Sequence, residues 1–225
     1  STTELTAKIE GQPLNAIFGF ETLGICDNQE LYDKYAPMMQ KYNPKWGMGD
    51  IIIKDRTGEG VINDEDRTVI GNSIPRFTFG LNLGFEYKGF DFSCFFQGVG
   101  KADGYVTMEA IQPMGINGAR KEHYKESFNP QDPKPGAYFP RILSSDYNYA
   151  YMSHWVQDAS YIRLKNLQIG YSFKIKGLNQ LRVYASGENL FTATKYRTWD
   201  PETPVGARGF YPNVAVYSMG VNLNF

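Results

Sequence analysis

Residues 76–87 read RFTFGLNLGFEY, and this stretch decides the fold. Phe79, Leu81, Leu83, Phe85 and Tyr87 alternate with Thr78, Gly80, Asn82, Gly84 and Glu86. A period of two puts one set on each face of a β-strand. Lys88-Gly89 follows, and then FDFSCFFQG at 90–98. With Lys88-Gly89 as a two-residue hairpin turn, Tyr87 sits opposite Phe90. That register pairs Phe85 with Phe92, Leu83 with Cys94 and Leu81 with Phe96 on the apolar face. The other face receives Gly84 with Ser93, Asn82 with Phe95 and Gly80 with Gln97. A slip of one residue would turn every side chain to the wrong face. In this register Phe95 alone is apolar on the polar side.

The same alternation closes the chain, where Tyr217, Met219, Val221, Leu223 and Phe225 interleave with Ser218, Gly220, Asn222 and Asn224. Residues 158–173, DASYIRLKNLQIGYSF, make a longer strand. Its apolar set is Leu167, Ile169, Tyr171 and Phe173, but Ile162 and Leu164 have the opposite parity. A bulge, or an exit from a membrane near Lys165-Asn166, accounts for that change of phase. Strands are thus expected near 14–23, 76–87, 89–98, 158–173, 180–191 and 213–225. The connections alternate: long at 24–75, 99–157 and 192–212, short at Lys88-Gly89 and 174–179. Short turns at one end and long loops at the other are characteristic of an outer-membrane barrel. Within the long loops, residues 28–41 suit a short helix with Pro37 as a kink or stop, and residues 119–128 another helical turn or two.

Composition agrees with this all-β reading. The 16 Tyr, 15 Phe and 3 Trp favour strands, as do the turns supplied by 23 Gly and 12 Pro. A net charge of −1 gives no electrostatic footprint for nucleic acid. No apolar run approaches the roughly 18 residues of a membrane helix, but a barrel hides its apolar residues at every second position. The start of the chain, STTELTAKIEGQP, lacks a signal-peptide pattern. Roughly six strands are too few for a closed barrel, which starts at about eight. Either other chains complete the wall or the segment is the tail of a longer polypeptide. A soluble all-β carbohydrate-binding module and a passive porin or adhesin barrel are the alternatives.

Four blocks carry a specific likeness: GDIIIKDRTGEGVINDEDRTVIGNSIPRFTFGLNLGFEYKGFDFSCFFQGVG (49–100), WVQDASYIRLKNLQIGYSF (155–173), ASGENLFTATKYRTWDPET (185–203) and YPNVAVYSMGVNLNF (211–225). Together they resemble the C-terminal part of the SusC/RagA-like TonB-dependent outer-membrane transporters of Bacteroidota. The resemblance implies a 22-stranded transmembrane β-barrel, on the order of the plugged outer-membrane transporters, of which this chain supplies the last strands. It further implies active import of large nutrients, oligosaccharides or peptides, with the C-terminus on the periplasmic side. The implied partners are a SusD-like surface lipoprotein as lid, the TonB complex reached through an N-terminal part, the rest of the barrel and its plug, and outer-membrane lipid. Phe225 would be the signal read by the barrel-assembly machinery; the alternative, which can hold alongside it, is an interface aromatic at the membrane edge.

One motif suggests a metal. Asp55 to Asp66 aligns with a 12-residue calcium loop. Asp55, Thr57, Glu59, the Val61 carbonyl and Asp66 would be Ca2+ ligands, with Asn63 acting through water, Gly60 at the sharp turn and Ile62 as the apolar anchor. Thr57 and Glu59 replace the usual Asp or Asn, and Asp66 a longer Glu, so an acidic turn without metal fits the same residues. The histidines, His123 and His154, form no metal pattern, and no nucleophile or phosphate-binding motif occurs, so no enzyme is expected. Trp155, Trp199, Tyr147, Tyr149 and Tyr151 suit either contacts to cargo or lid, or local loop packing. Cys94 is expected as a small filler on the lipid face, unpaired with Cys26.

Overall fold

The computed structural model describes residues 5–107, 111–113, 118, 120–133, 135–142, 147–177, 179–197, 199–203, 211 and 213–224. The strands are β1 (Thr6–Ala7), β2 (Ala16–Phe20), β3 (Thr22–Ile25), β4 (Ile51–Ile53), β5 (Arg67–Asn72), β6 (Phe77–Tyr87) and β7 (Phe90–Gly100). They continue with β8 (Asp103–Tyr105), β9 (Val156–Asp158), β10 (Tyr161–Phe173), β11 (Gln180–Thr194) and β12 (Val216–Asn224). Among the described residues lie the α-helices α1 (Gln29–Tyr42) and α2 (Lys121–Glu126). No helix among the described residues is long and apolar enough to cross a membrane. The chain is all-β in class and separates into two compact units.

The sheet unit comprises Pro75–Asp103, Asp158–Thr203 and the described residues after 210. It is one five-stranded antiparallel sheet in the order β12-β11-β10-β7-β6. The hairpin register is the one derived from sequence, with Tyr87 opposite Phe90, Leu83 opposite Cys94 and Asn82 opposite Phe95. Lys88 and Gly89 both have positive φ, 48° and 87°, the geometry of a turn whose twist matches its strands. The phase change in β10 is a bulge: both neighbouring ladders shift register between Leu164 and Asn166. Against β7 the extra residue is Lys165; in the pairing with β11 it lies on β11, where Asn189 and Leu190 stand opposite Lys165.

Register carries the two-faced pattern across the whole sheet. One row runs Phe85, Phe92, Ile169, Ala185 and Met219, all apolar. The adjacent row runs Gly84, Ser93, Gln168, Ser186 and Ser218, all small or polar. The apolar row faces outward uncovered, and Met219 is 91% exposed. Both β6 and β12 are free edges within this sheet.

The loop unit comprises the described residues up to Ile74 and those of Gly104–Gln157. Here the expectations need correction. The stretch 14–23 does not extend the large sheet: β2 pairs with β1 and β5, and β3 pairs with β4. Four of the five residues of β2 are buried, on both faces, which suits an interior strand and not a lipid-facing wall. The expected loops 24–75 and 99–157 are largely folded around a core of their own. Trp46, Ile51, Ile52, Ile53, Met39 and Trp155 are all buried there. Helix α1 starts at the Asn28 cap, whose side chain accepts the Leu31 N–H, and it runs through Pro37 to Tyr42. Pro37 does not stop it. Helix α2 lies within the expected 119–128.

Candidate functional site

The sheet presents its chemistry by face. Along β6 the outward side chains run from Phe77 to Tyr87 and are about half exposed or more. A lysine stands at each end: Lys101 Nζ lies 5.6 Å from the Phe77 ring centroid and Lys88 Nζ 5.1 Å from that of Tyr87. Amphipathic cations at the two limits of an apolar band are placed as interfacial anchors. Eleven residues rising about 3.3 Å each and tilted by roughly 40° span about 25 Å, the height of a barrel's apolar belt. Cys94 sits in this face but is covered, at 7% exposure, between its cross-strand partners Leu83 and Leu167.

The opposite face is built from hydrogen-bonding groups. Arg182 of β11 clasps Asp91 of β7 with two N–H donors, one at 2.9 Å, reaching across β10. Gly170 is the β10 residue beneath this pair, where a Cβ would lie 2.4 Å from a carboxylate oxygen of Asp91. Any larger residue would drive the pair apart. Near the tight-turn end a recess of about 910 Å³ is lined in part by Asp91, Ser93, Gln168, Ser172, Gln180 and Arg182. At the other end of the same face, Arg163 is 2% exposed and bonded to Asp200 and Thr192.

The loop unit holds a second ion pair, in which the carboxylate is buried. Arg141 binds Asp50 through Nε at 2.8 Å and a terminal nitrogen at 2.6 Å, and Asn148 donates to the same carboxylate at 2.8 Å. Asn148 also accepts the Ile51 N–H, and Trp46 Nε1 donates to the Ile51 carbonyl. Cys26 donates its backbone N–H to Asp50 O, and its thiol is pushed up to about 11, first by burial and then by Asp50 and Asp27. A raised thiol of this kind is a poor nucleophile. Both cysteines are free.

The candidate calcium residues come together in one turn, but through their own amides. Asp55 accepts the N–H groups of Gly58 and Gly60, at 2.6 and 2.7 Å. Asp66, fully buried, accepts those of Arg56 and Thr57 on one oxygen and that of Asn63 on the other. Burial alone would raise the Asp66 carboxyl, but these N–H donors outweigh it and hold it below its usual value. Both Asp66 oxygens thus accept backbone N–H groups, which ties the two ends of the turn together. Among the described residues no group of three or more His, Cys, Asp or Glu is placed to hold a metal ion. The architecture of the turn comes from carboxylate–amide bonding.

The loop aromatics pack locally. Trp155 is fully buried, donates to Asn148 O at 2.8 Å and stacks on Tyr149, and the Tyr147 hydroxyl donates to Ile51 O. Tyr151 meets Tyr105 edge to face. His154 stacks on Tyr138 and bonds its carbonyl, while His123 Nδ1 accepts the Arg120 N–H and the ring abuts Phe139. Burial lowers both histidines, so both stay neutral. Phe225 lies outside the described residues. Sequence reasoning missed Arg163, Asp200, Glu202, Asp91 and Arg182. For Asp91, Arg163 and Arg182 the available signal was parity, since each stands on the polar phase of its strand, whereas Asp200 and Glu202 lie in the connection after β11 and carry no such signal.

Similarity to known proteins follows the whole chain. No protein-family model matches it. A TonB-dependent receptor of Formosa agariphila is 32% identical over 240 residues, covering 96% of this chain and 22% of that receptor. The TonB-dependent receptor SusC of Bacteroides thetaiotaomicron is 27% identical over 185 residues, covering 77% of this chain and 17% of SusC. The chain therefore spans about a fifth of the length of these relatives. Among solved structures, the RagAB peptide importer in its open-open state superposes with a TM-score of 0.69 at 22% identity, over 96% of this chain and 23% of that one. The closed-closed state gives 0.70 at 19% identity, over 100% and 25%. At these identities the superposition speaks for the fold.

Proposed function

The chain is a segment of a SusC/RagA-like TonB-dependent receptor, and from that premise we propose that its five-stranded sheet is part of the wall of a 22-stranded outer-membrane barrel that imports large nutrients under TonB control. The observation that carries this reading is the register-matched two-faced sheet, whose uncovered apolar face would be untenable in water. In lipid that face is satisfied, and the polar face lines the passage. The free edges of β6 and β12 are closed by strands from the rest of the polypeptide, since an open edge in hydrocarbon leaves backbone groups unbonded. The long connections face outward and the tight turns, with the C-terminus, face the periplasm. Phe225 is the residue read by the assembly machinery.

A SusD-like lipoprotein covers the outer side, and the cargo is an oligosaccharide or a peptide. The chain's own residues contribute shape and charge along the passage. No enzymatic step is assigned to the described residues.

The test uses the full-length receptor. It should require detergent, migrate differently on gels before and after heating, co-purify with a SusD-like protein, and lose uptake when TonB is deleted. A full-length protein that is monomeric in plain buffer would return the soluble carbohydrate-binding module to first place. Uptake that persists without TonB would point to a passive porin.

A further inference from the structure

The polar face carries, at the end away from the tight turns, a charge cluster that wall-building alone does not require. Arg163 Nε donates to Thr192 Oγ1 of β11 at 2.8 Å. One terminal nitrogen donates to Asp200 Oδ2 at 2.7 Å, and the other lies 3.1 Å from Glu202 Oε2. Glu202 is itself held by Lys165 at 2.7 Å, by the Tyr161 hydroxyl at 2.8 Å and by Asn213 Nδ2 at 2.6 Å. Asp200 shapes the local backbone as well, accepting the Glu202 N–H on its side chain and the Thr203 N–H on its carbonyl.

Three features set this apart from an ordinary surface ion pair. Arg163 is 2% exposed and the Asp200 side chain 8%, so removing Arg163 leaves a buried carboxylate without its cation. The charges balance, two cations from β10 against two carboxylates from the connection after β11. The bulge in β10 also gains a purpose, because bulges re-aim side chains. Inserting Lys165 as an extra residue supplies the second cation at the point where Glu202 arrives. Burial alone would raise the Glu202 carboxyl, but bonds from Lys165 and Tyr161 and the charge of Arg163 hold it below its usual value. It stays ionised within the cluster.

We propose that the Arg163–Lys165–Asp200–Glu202 cluster is an anchor that fixes residues 199–203, in the connection between β11 and β12, onto the polar face of the sheet. This stretch is then a fixed part of the passage lining and does not swing with the lid. The proposal rests on the barrel reading, because only in a closed barrel does the polar face line a passage.

Hydrogen–deuterium exchange on the full-length receptor tests it through the peptide covering 199–203. Wild type should protect this peptide, and Arg163→Gln should speed its exchange at least tenfold. Asp200→Asn and Glu202→Gln, which leave the strands untouched, should do the same even if Arg163→Gln assembles poorly. Lys165→Gln, which loses contacts to Glu202 alone, should have a smaller effect. The charge reversal Arg163→Glu with Glu202→Arg should recover part of the protection. Exchange in wild type at the rate of an unstructured peptide, or unchanged by Asp200→Asn and Glu202→Gln, overturns the anchor. Failure of the barrel reading shows separately, as a wild-type receptor whose migration does not change on heating.

Discussion

The loop unit and the sheet unit place their apolar residues in opposite ways. In the loop unit Trp46, Trp155, Met152 and the run Ile51–Ile53 are buried among one another. In the sheet unit Phe77, Phe79, Leu81, Leu83 and Phe85 point outward, each close to half exposed or more. One unit is folded by expelling water from its own centre. The other depends on an apolar solvent outside itself, and it buries charge, at Arg163, on the side a soluble sheet would fill with hydrocarbon. The difference teaches that segments of one chain can follow the rules of two solvents. It also gives two sets of substitutions that should behave oppositely.

Truncating aromatics should separate the units most sharply. Trp155→Ala removes a fully buried indole and its bond to Asn148, and should destabilise the loop unit by about 3–5 kcal/mol. Phe85→Ala removes a ring that faces lipid, where acyl chains fill the gap, so no cavity term arises and the loss should be well below that. Hydrogen exchange over 147–157, compared with unfolding of the reconstituted barrel, reads the two effects. Equal costs in the two units would mean that the outward face is packed against protein.

Adjacent residues on one strand give the next contrast. Ile169 lies in the apolar row and Gln168 in the polar one. Ile169→Arg puts a cation near the middle of the apolar belt and should cost about 2–4 kcal/mol of folding free energy in a bilayer, or block assembly. Gln168→Arg should be close to neutral. The folded fraction, scored by the heat-dependent change in migration, distinguishes them. Comparable losses at both positions would break the assignment of faces.

How much of this was legible in the sequence follows the same division. Period-two alternation reports the face of a strand, so it gave the β6–β7 register residue by residue, and the parity switch in β10 marked the bulge at Lys165. The loop unit was read mostly as connections, with a short helix at 28–41 and a helical turn or two at 119–128, because its strands are two to six residues long. In pieces that short, alternation cannot be told from chance, and only pairing over long separations reveals them. The stretch 14–23 was misplaced for that reason: AIFGF fits a wall strand locally, and its burial from both sides is set by distant residues. Charged groups were hardest. Nothing local to Arg163 announces Asp200 and Glu202, which the connection after β11 brings back to it.

The smallest effect concerns the Asp55–Asp66 turn, where the loop unit relies on carboxylates in place of apolar contacts. Asp66 has its carboxyl held below its ordinary value in the folded protein. Its contribution is therefore complete at neutral pH, above the unfolded-state value near 3.8, and is lost as pH falls through the depressed folded value. Asp66→Asn keeps the shape but removes the charge and replaces one acceptor oxygen with a donor, which should cost about 1–3 kcal/mol. The variant should also flatten the acid limb of the loop unit's stability curve, followed by exchange over 55–67. Calcium supplies the counter-test. Extracellular calcium modules bind at roughly 0.1–1 mM, so 5 mM Ca2+ added to the wild type should leave exchange in this turn unchanged. A marked slowing would mean that Asp66 gives up its amides for a cation, and the turn would then be a calcium loop after all.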